Sequence, residues 1–250
     1  MDLNLAVLAR APDPTALRAG DALPWSYPSL MTDAARLPYG YSNESWADDT
    51  SVWKRYVGFQ AAARMRSELS AIEATQGIVP VPQVLSVDFD DSIVRFARVL
   101  GVPGQKLVES GHGEAVMLAA GRTLAKLQGA LRGEITHGDY GPHNLLLDAR
   151  ASEVVLVADW EFAEANGQLV ADLAWAEWIV RMHHPDQVTS IAHLFVGYGT
   201  RPPWDERLSA MIEKCAWFSA RAQQAGRPSA HRLWEQRRAL TSTWVEVGDR

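Results

Sequence analysis

The second half of this 250-residue chain carries helix-like apolar spacing, and it is interrupted once, by a stretch with a different periodicity. The interruption begins with Thr136, His137, Gly138, Asp139, Tyr140, Gly141, Pro142, His143 and Asn144. A short apolar run at 145–147, a polar turn and a second apolar run at 154–158 follow, and Asp159 closes the stretch. Two short apolar runs around a polar turn predict a buried β-hairpin. In an antiparallel pair, Asn144 entering the first strand and Asp159 leaving the second lie side by side. An amide oxygen beside a carboxylate suits a hard divalent cation such as Mg²⁺. Asp139 precedes them on a loop shaped by Gly138, Gly141 and Pro142, where a carboxylate can take a hydroxyl proton and aim the oxygen. Phosphoryl transfer requires this combination of an oriented nucleophile and metal-neutralised phosphates.

The rest of the chain divides around a composition break. Residues 1–36, rich in Ala, Pro and Asp, read as a leader that packs on the body. A turn containing Gly40, Ser42, Asn43 and Glu44 precedes a strand over 51–57. Residues 60–75 place Met65, Leu69 and Ile72 on one helical face between Arg64, Arg66, Glu68 and Glu73, and Gly77, Pro80 and Pro82 end that helix. Strands follow at 84–88 and 93–99 around Asp90 and Asp91. Gly101, Val102, Pro103 and Gly104 read as a hinge. Helices are expected over 114–131, 171–182, 188–195, 204–223 and 230–245. The order predicts an α+β fold: a small β-rich N-lobe over 37–100, a hinge at 101–104 and a larger, mainly helical C-lobe over 105–250.

Composition narrows the partners. The net charge of −6 argues against nucleic acid, whose phosphates need a basic face. The single cysteine, Cys215, excludes an intramolecular disulfide, and its apolar neighbourhood predicts a buried structural thiol. The apolar run at 3–8 is too short for a membrane span and lacks the basic start of a signal peptide. A cytoplasmic protein with no membrane partner is expected.

His137, Gly138 and Asp139, then Asn144, an apolar strand and Asp159, Trp160 and Glu161, resemble the aminoglycoside phosphotransferase family, small-molecule relatives of the protein kinases. Asp172, Leu173, Ala174 and Trp175 resemble the helix start that braces the catalytic loop in that family. The resemblance runs from about residue 38, is strongest over 136–180, and is only topological in the first lobe. It implies a protein-kinase-like bilobal fold, with ATP or GTP as co-substrate and Mg²⁺ as cofactor. It makes Asp139 the catalytic base and Asn144 and Asp159 the metal ligands. Glu161 would be an extra metal or substrate contact, and His137 would hold the loop by hydrogen bonds. Lys54 would hold the α- and β-phosphates with Glu68 as its helix partner, although Glu73 is a second acidic residue on that helix. Leu100, Gly101 and Val102 would offer backbone groups to the nucleotide base. A glycine-rich phosphate loop is missing, and Ser42 and Asn43 stand in its place.

Other readings follow from the same residues. His137, Asp139, His143, His183 and His184 have the ligand types of a metal hydrolase. A nucleotide-binding pseudokinase or ligand-sequestering module would need no complete set of Asp139, Asn144 and Asp159. Trp175, Trp178, Trp204 and Trp217 read as core before substrate platform. Glu161, Glu164, Asp172, Glu177, Asp186 and Asp205, if gathered in a pocket wall, favour a small hydroxylated and cationic acceptor, such as an aminoglycoside or another amine-bearing alcohol. Solvated helix ends are the alternative for those carboxylates. By analogy, an antibiotic-modifying role is the first expectation.

Overall fold

The computed structural model describes residues 35–36 and 43–247. Five strands, β1 (Ala35–Arg36), β2 (Asn43–Ala47), β3 (Ser51–Tyr56), β4 (Val84–Asp88) and β5 (Ile93–Ala97), form an antiparallel sheet in the order β1-β2-β3-β5-β4. Strand β3 is central, so the backbone of Lys54 is fixed from both sides, opposite Ser45 and Val94. Helix α1 (Ala61–Thr75) buries Arg64, Met65, Glu68, Ala71, Ile72 and Thr75, a helical stripe in which Arg64 and Glu68 are charged. The turn between β4 and β5 is closed by Asp88, whose Oδ1 accepts from the amides of Asp90 and Asp91, both at 3.0 Å. Strand β5 ends at Ala97, short of the expected 99, because the amides of Ala97 and Arg98 turn to Gln83 O and Thr50 O.

Residues 101–104, read as a hinge, hold the short strand β6 (Val102–Pro103) and the start of helix α2 (Gly104–Glu109), a helix that the apolar spacing did not reveal. The glycines there answer to packing. A Cβ on Gly101 would sit 2.9 Å from Val155 Cγ2, and one on Gly104 would sit 2.7 Å from Pro142 O. The backbone is pressed against the hairpin β8 (Leu145–Leu147) and β9 (Val154–Val157), and β6 pairs with β8. The hairpin is in the expected place, with Leu145 opposite Val157 and Leu146 opposite Leu156. Asp148 closes its turn by accepting from the amides of Ser152 and Glu153.

Helix α3 (Gly113–Leu131) precedes this hairpin, and β7 (Ile135–Thr136) pairs with β10 (Glu164–Ala165) to close the loop region at its base. Helices α4 (Leu169–His183), α5 (Ile191–Tyr198), α6 (Trp204–Gln224) and α7 (Pro228–Thr241) complete the second half. One apolar cluster joins Met65 and Val94 to Met117, Leu124, Leu145 and Trp160, so the sheet and the helices share a core. A second gathers Trp175, Trp178, Met211 and the buried Cys215. Burial pushes the Cys215 thiol up to about 11, which suits a packing role. Among the described residues no helix is long and apolar enough to cross a membrane.

Helix α7 stops at Thr241, before the expected 245, because the segment beyond it is drawn onto α4 and α6. Trp178 Nε1 donates to Thr241 Oγ1 at 2.8 Å, and Arg181 donates to Val245 O at 3.0 Å. The fully buried Arg207 bonds Glu177 on one side and Glu246 on the other. Glu177→Ala is expected to cost about 3–5 kcal/mol in urea unfolding, since it leaves a buried guanidinium short of its main partner. The double exchange Glu177→Leu with Arg207→Met should recover most of that loss. A single-variant loss below about 1 kcal/mol would mean that the pair behaves as a solvated one.

Candidate active site

Three segments distant in sequence meet at Lys54. Its Nζ lies 2.6 Å from Glu68 Oε2 and 3.6 Å from Glu161 Oε2, and it is bonded to Asp159 Oδ1. Burial acts to lower the ammonium pKa, but Asp159, Glu68 and Glu161 outweigh it and hold it well above the ordinary range. Tyr56 donates its hydroxyl to the same Glu68 oxygen at 2.5 Å. Glu73, the other candidate partner on α1, faces solvent.

Glu161 is enclosed on a second side. Arg64 Nη1 donates to Glu161 Oε2 and to Asn43 Oδ1, each at 2.8 Å, and Asn43 Nδ2 donates to Glu161 Oε2 at 2.5 Å. Burial and the nearby Asp159 carboxylate nevertheless push Glu161 up to about 6, against the pull of Lys54 and Arg64. Its Oε1 is buried with no hydrogen-bond partner among the described residues. Asn43, expected at the nucleotide, is thus part of this buried network.

The loop between β7 and β8 is held largely by its backbone. Asp172, in the first turn of α4, accepts from the amides of His137 at 2.7 Å and Gly138 at 2.8 Å. Gly138 has φ +80°, and a Cβ there would lie 1.9 Å from Phe162 O, so no larger residue fits. His137 Nδ1 accepts from the Asp139 amide at 3.2 Å, which leaves Nε2 to donate to Ala158 O at 2.9 Å. The ring is therefore neutral with its proton on Nε2, and burial lowers its pKa. It joins the backbone of Asp139 to the residue before Asp159.

The Asp139 carboxylate is oriented by side chains. Trp175 Nε1 donates to Oδ1 at 2.7 Å, His143 Nε2 lies 3.3 Å from the same oxygen, and Asn144 Nδ2 lies 3.2 Å from Oδ2. Burial pushes this carboxyl up, but His143 and the Trp175 indole hold it below its usual value. Asn144 spends its Nδ2 on Asp139, and among the described residues no donor reaches its Oδ1. The Ala158 amide donates to Asn144 O at 2.9 Å, which sets Asn144 beside the start of the Asp159 turn. Asp159 itself adopts the left-handed region, φ +66°, with a side chain 36% exposed and Oδ1 on Lys54. Glu68, Asp159 and Glu161 bring carboxylate oxygens within 4.8 Å of one another, an all-oxygen set whose chemistry fits a hard cation such as Mg²⁺.

The remaining expected residues lie elsewhere. Leu100 is 81% exposed, next to Gly101 and Val102 on the segment that leads from the sheet to α2. Ser42 is outside the described residues. The histidines do not gather as a hydrolase centre: among the described residues the metal-capable group is Glu68, Asp159 and Glu161, with donor atoms within 4.8 Å of one another. Three participants have roles that were not read in the sequence. Arg64 precedes Glu68 by one helical turn, and that spacing puts both on the buried face of α1. Trp175 follows Asp172 by three residues on α4, so its indole reaches the loop that Asp172 holds. His143 was read only as a metal ligand, and its i,i+4 spacing to Asp139 was the available signal.

No protein-family model matches this chain, and no curated protein does. Solved structures do. APH(2")-IIia in complex with GDP and kanamycin superposes with a TM-score of 0.63 over 84% of this chain and 93% of that one, at 11% identity. Aminoglycoside phosphotransferase APH(4)-Ia gives 0.60 over 87% and 97%, at 13% identity. ADP-bound aminoglycoside phosphotransferase APH(2'')-Ib gives 0.58 over 84% and 92%, at 10% identity. The chain has the protein-kinase-like fold of the aminoglycoside phosphotransferases, a small antiparallel sheet followed by a larger helical region.

The raised carboxyl of Glu161 has a measurable consequence. Its stabilising contribution is complete below the ordinary carboxyl value of 4.5 and is lost as pH rises through about 6. Relative to Glu161→Gln, the wild type should lose on the order of 2 kcal/mol across that window. Parallel stability–pH curves for the two proteins would contradict the shift.

Proposed function

We propose that this chain is a nucleotide-dependent phosphotransferase acting on a hydroxyl of a small molecule. The observation that carries the reading is the convergence of three groups: the buried Lys54 ammonium, the free oxygens of Asn144 and Asp159, and the oriented Asp139 carboxylate. Residues 37–100 form the nucleotide clamp in this reading, with residues 101–104 as the connection to the helical lobe. Lys54, kept in place by Glu68, holds the α- and β-phosphates, and the backbone of Leu100, Gly101 and Val102 meets the base. Asn144 and Asp159 would hold Mg²⁺, with Glu161 as a further oxygen. The cation, when bound, neutralises charge on the phosphate oxygens.

The chemical step needs little from the protein beyond position. The acceptor hydroxyl donates its proton to Asp139 Oδ2 as its oxygen attacks the γ-phosphorus. A new O–P bond forms while the bond from that phosphorus to the β–γ bridging oxygen breaks, and the nucleoside diphosphate leaves with the electron pair. His137, Asp172 and Trp175 act by fixing where Asp139 stands. GDP with kanamycin, ADP, and streptomycin with ATP in the similar structures support a nucleotide co-substrate and make aminoglycosides the first acceptors to try. An antibiotic-modifying role and a cytoplasmic setting, with Cys215 reduced, belong to this proposal.

Transfer of the γ-phosphate from ATP or GTP to a panel of hydroxylated amines tests it. Asp139→Asn should lower kcat by roughly 10²–10⁴-fold and leave nucleotide affinity nearly unchanged. Asp159→Ala should remove the Mg²⁺ dependence of nucleotide binding. Full turnover by Asp139→Asn would overturn the mechanism. Tight Mg²⁺-dependent binding with no transfer to any acceptor would instead make the chain a nucleotide-binding module.

A further inference from the structure

A pocket of about 200 Å³ lies beside the catalytic loop, with Gly138, Asp172 and Trp175 on one side and Glu164, Glu213 and Lys214 among its other walls. Trp175 is the residue whose indole holds Asp139, so the pocket borders the place where the phosphotransferase reading puts the acceptor. Its volume is below the usual range for drug-sized ligands, about 300–1,000 Å³, and suits a compact molecule.

The pocket is not the acidic wall that the sequence suggested. Glu161 is occupied by Lys54 and Arg64, Glu177 by Arg181 and Arg207, and both oxygens of Asp172 by backbone amides. Asp186 and Asp205 sit exposed in the first turns of their helices. Of the six carboxylates, only Glu164 lines the pocket with no partner among the described residues, and the neighbouring Glu213 accepts from Ser209 Oγ at 3.0 Å.

Lys214 adds the opposite charge. Its ammonium stands 4.1 Å from the Trp217 ring centroid and 5.4 Å from that of Phe218, and among the described residues no carboxylate oxygen lies within ion-pair distance. Burial lowers its pKa, with Glu164, Asp139 and Asp172 acting in the opposite direction. Aromatic faces recover part of the desolvation of a cation, and a ligand anion would recover more. A polycation entering this pocket would meet that ammonium with like charge.

We propose that the acceptor is a compact hydroxylated zwitterion whose carboxylate is bound by Lys214 and whose ammonium is bound by Glu164, with its hydroxyl at Asp139. The inference rests on the phosphotransferase reading and narrows its acceptor. Lys214 is then a specificity-determining residue, contributed by a helix outside the catalytic loop.

Matched acceptors isolate the carboxylate: L-serine against ethanolamine, and L-homoserine against 3-aminopropan-1-ol, with kanamycin as the polycation. With Mg²⁺ and ATP, the wild type should show a lower KM for the carboxylate-bearing member of each pair. Lys214→Gln should raise that KM roughly tenfold or more and leave the KM of the matched amine nearly unmoved, while Lys214→Arg should retain much of the preference. An unchanged thermal midpoint in Lys214→Gln would confirm that the variant is folded. Preference for the amine or for kanamycin, or an equal loss for both members of a pair, would overturn the proposal, as would binding of none of the carboxylate probes. Mg²⁺·ATP binding to the wild type is read separately by thermal shift, and its absence would sink the phosphotransferase reading itself.

Discussion

The buried ammonium of Lys54 is the constraint on which the rest of the site depends. A charge at 9% exposure persists only if anions replace its water, and here they come from α1 and from the segment after β9. That requirement fixes three pieces of architecture together. Strand β3 must be central so that Lys54 is held from both sides. Helix α1 must turn Glu68 and Arg64 inward among apolar neighbours. The hairpin must end in a left-handed residue so that Asp159 faces the sheet. Two cations, Lys54 and Arg64, meet three carboxylates, Glu68, Asp159 and Glu161, so the cluster carries one excess negative charge. Asp159 is its most exposed member, which makes it the natural place for an arriving cation to act.

The second half of the site is governed by backbone bonds. Asp172 and His137 spend their polar atoms on main-chain partners, so the loop is held by bonds that need no ligand. Asp139 is then aimed by Trp175, which belongs to the aromatic core of the helical region. The Lys54 cluster and the loop are joined through His137 and Ala158, one residue from Asp159. Position, and not unusual basicity, is therefore what the fold supplies to Asp139, whose carboxyl lies below its usual value.

Much of this was legible in the sequence where a local rule applies. The hairpin followed from two short apolar runs, and the meeting of Asn144 with the Asp159 end followed from antiparallel geometry. The pairing of Lys54 with Glu68 came from the resemblance, and burial separates Glu68 from the exposed Glu73. What escaped depends on partners distant in the chain. Gly101 and Gly104 were read from composition alone, and the hairpin that presses on them and keeps them small does not show in the sequence. The six acidic residues looked like one wall, but Glu161, Glu177 and Asp172 are committed to cations and amides invisible in one dimension, and Asp186 and Asp205 face solvent. The end of α7 was missed because side chains of α4 capture the segment beyond it. Of the leader over 1–36 only Ala35 and Arg36, which form β1, are among the described residues, and Ser42 lies outside them.

The most direct test of this account is a crystal structure grown with Mg²⁺ and a non-hydrolysable ATP analogue. The account predicts that Lys54 keeps Glu68 but exchanges Asp159 for the α- and β-phosphates, with Asp159 and Asn144 oxygens at about 2.0–2.1 Å from the cation. A nucleotide bound elsewhere, or one in the cleft with Lys54 still on Asp159 and no cation at Asn144, would contradict it.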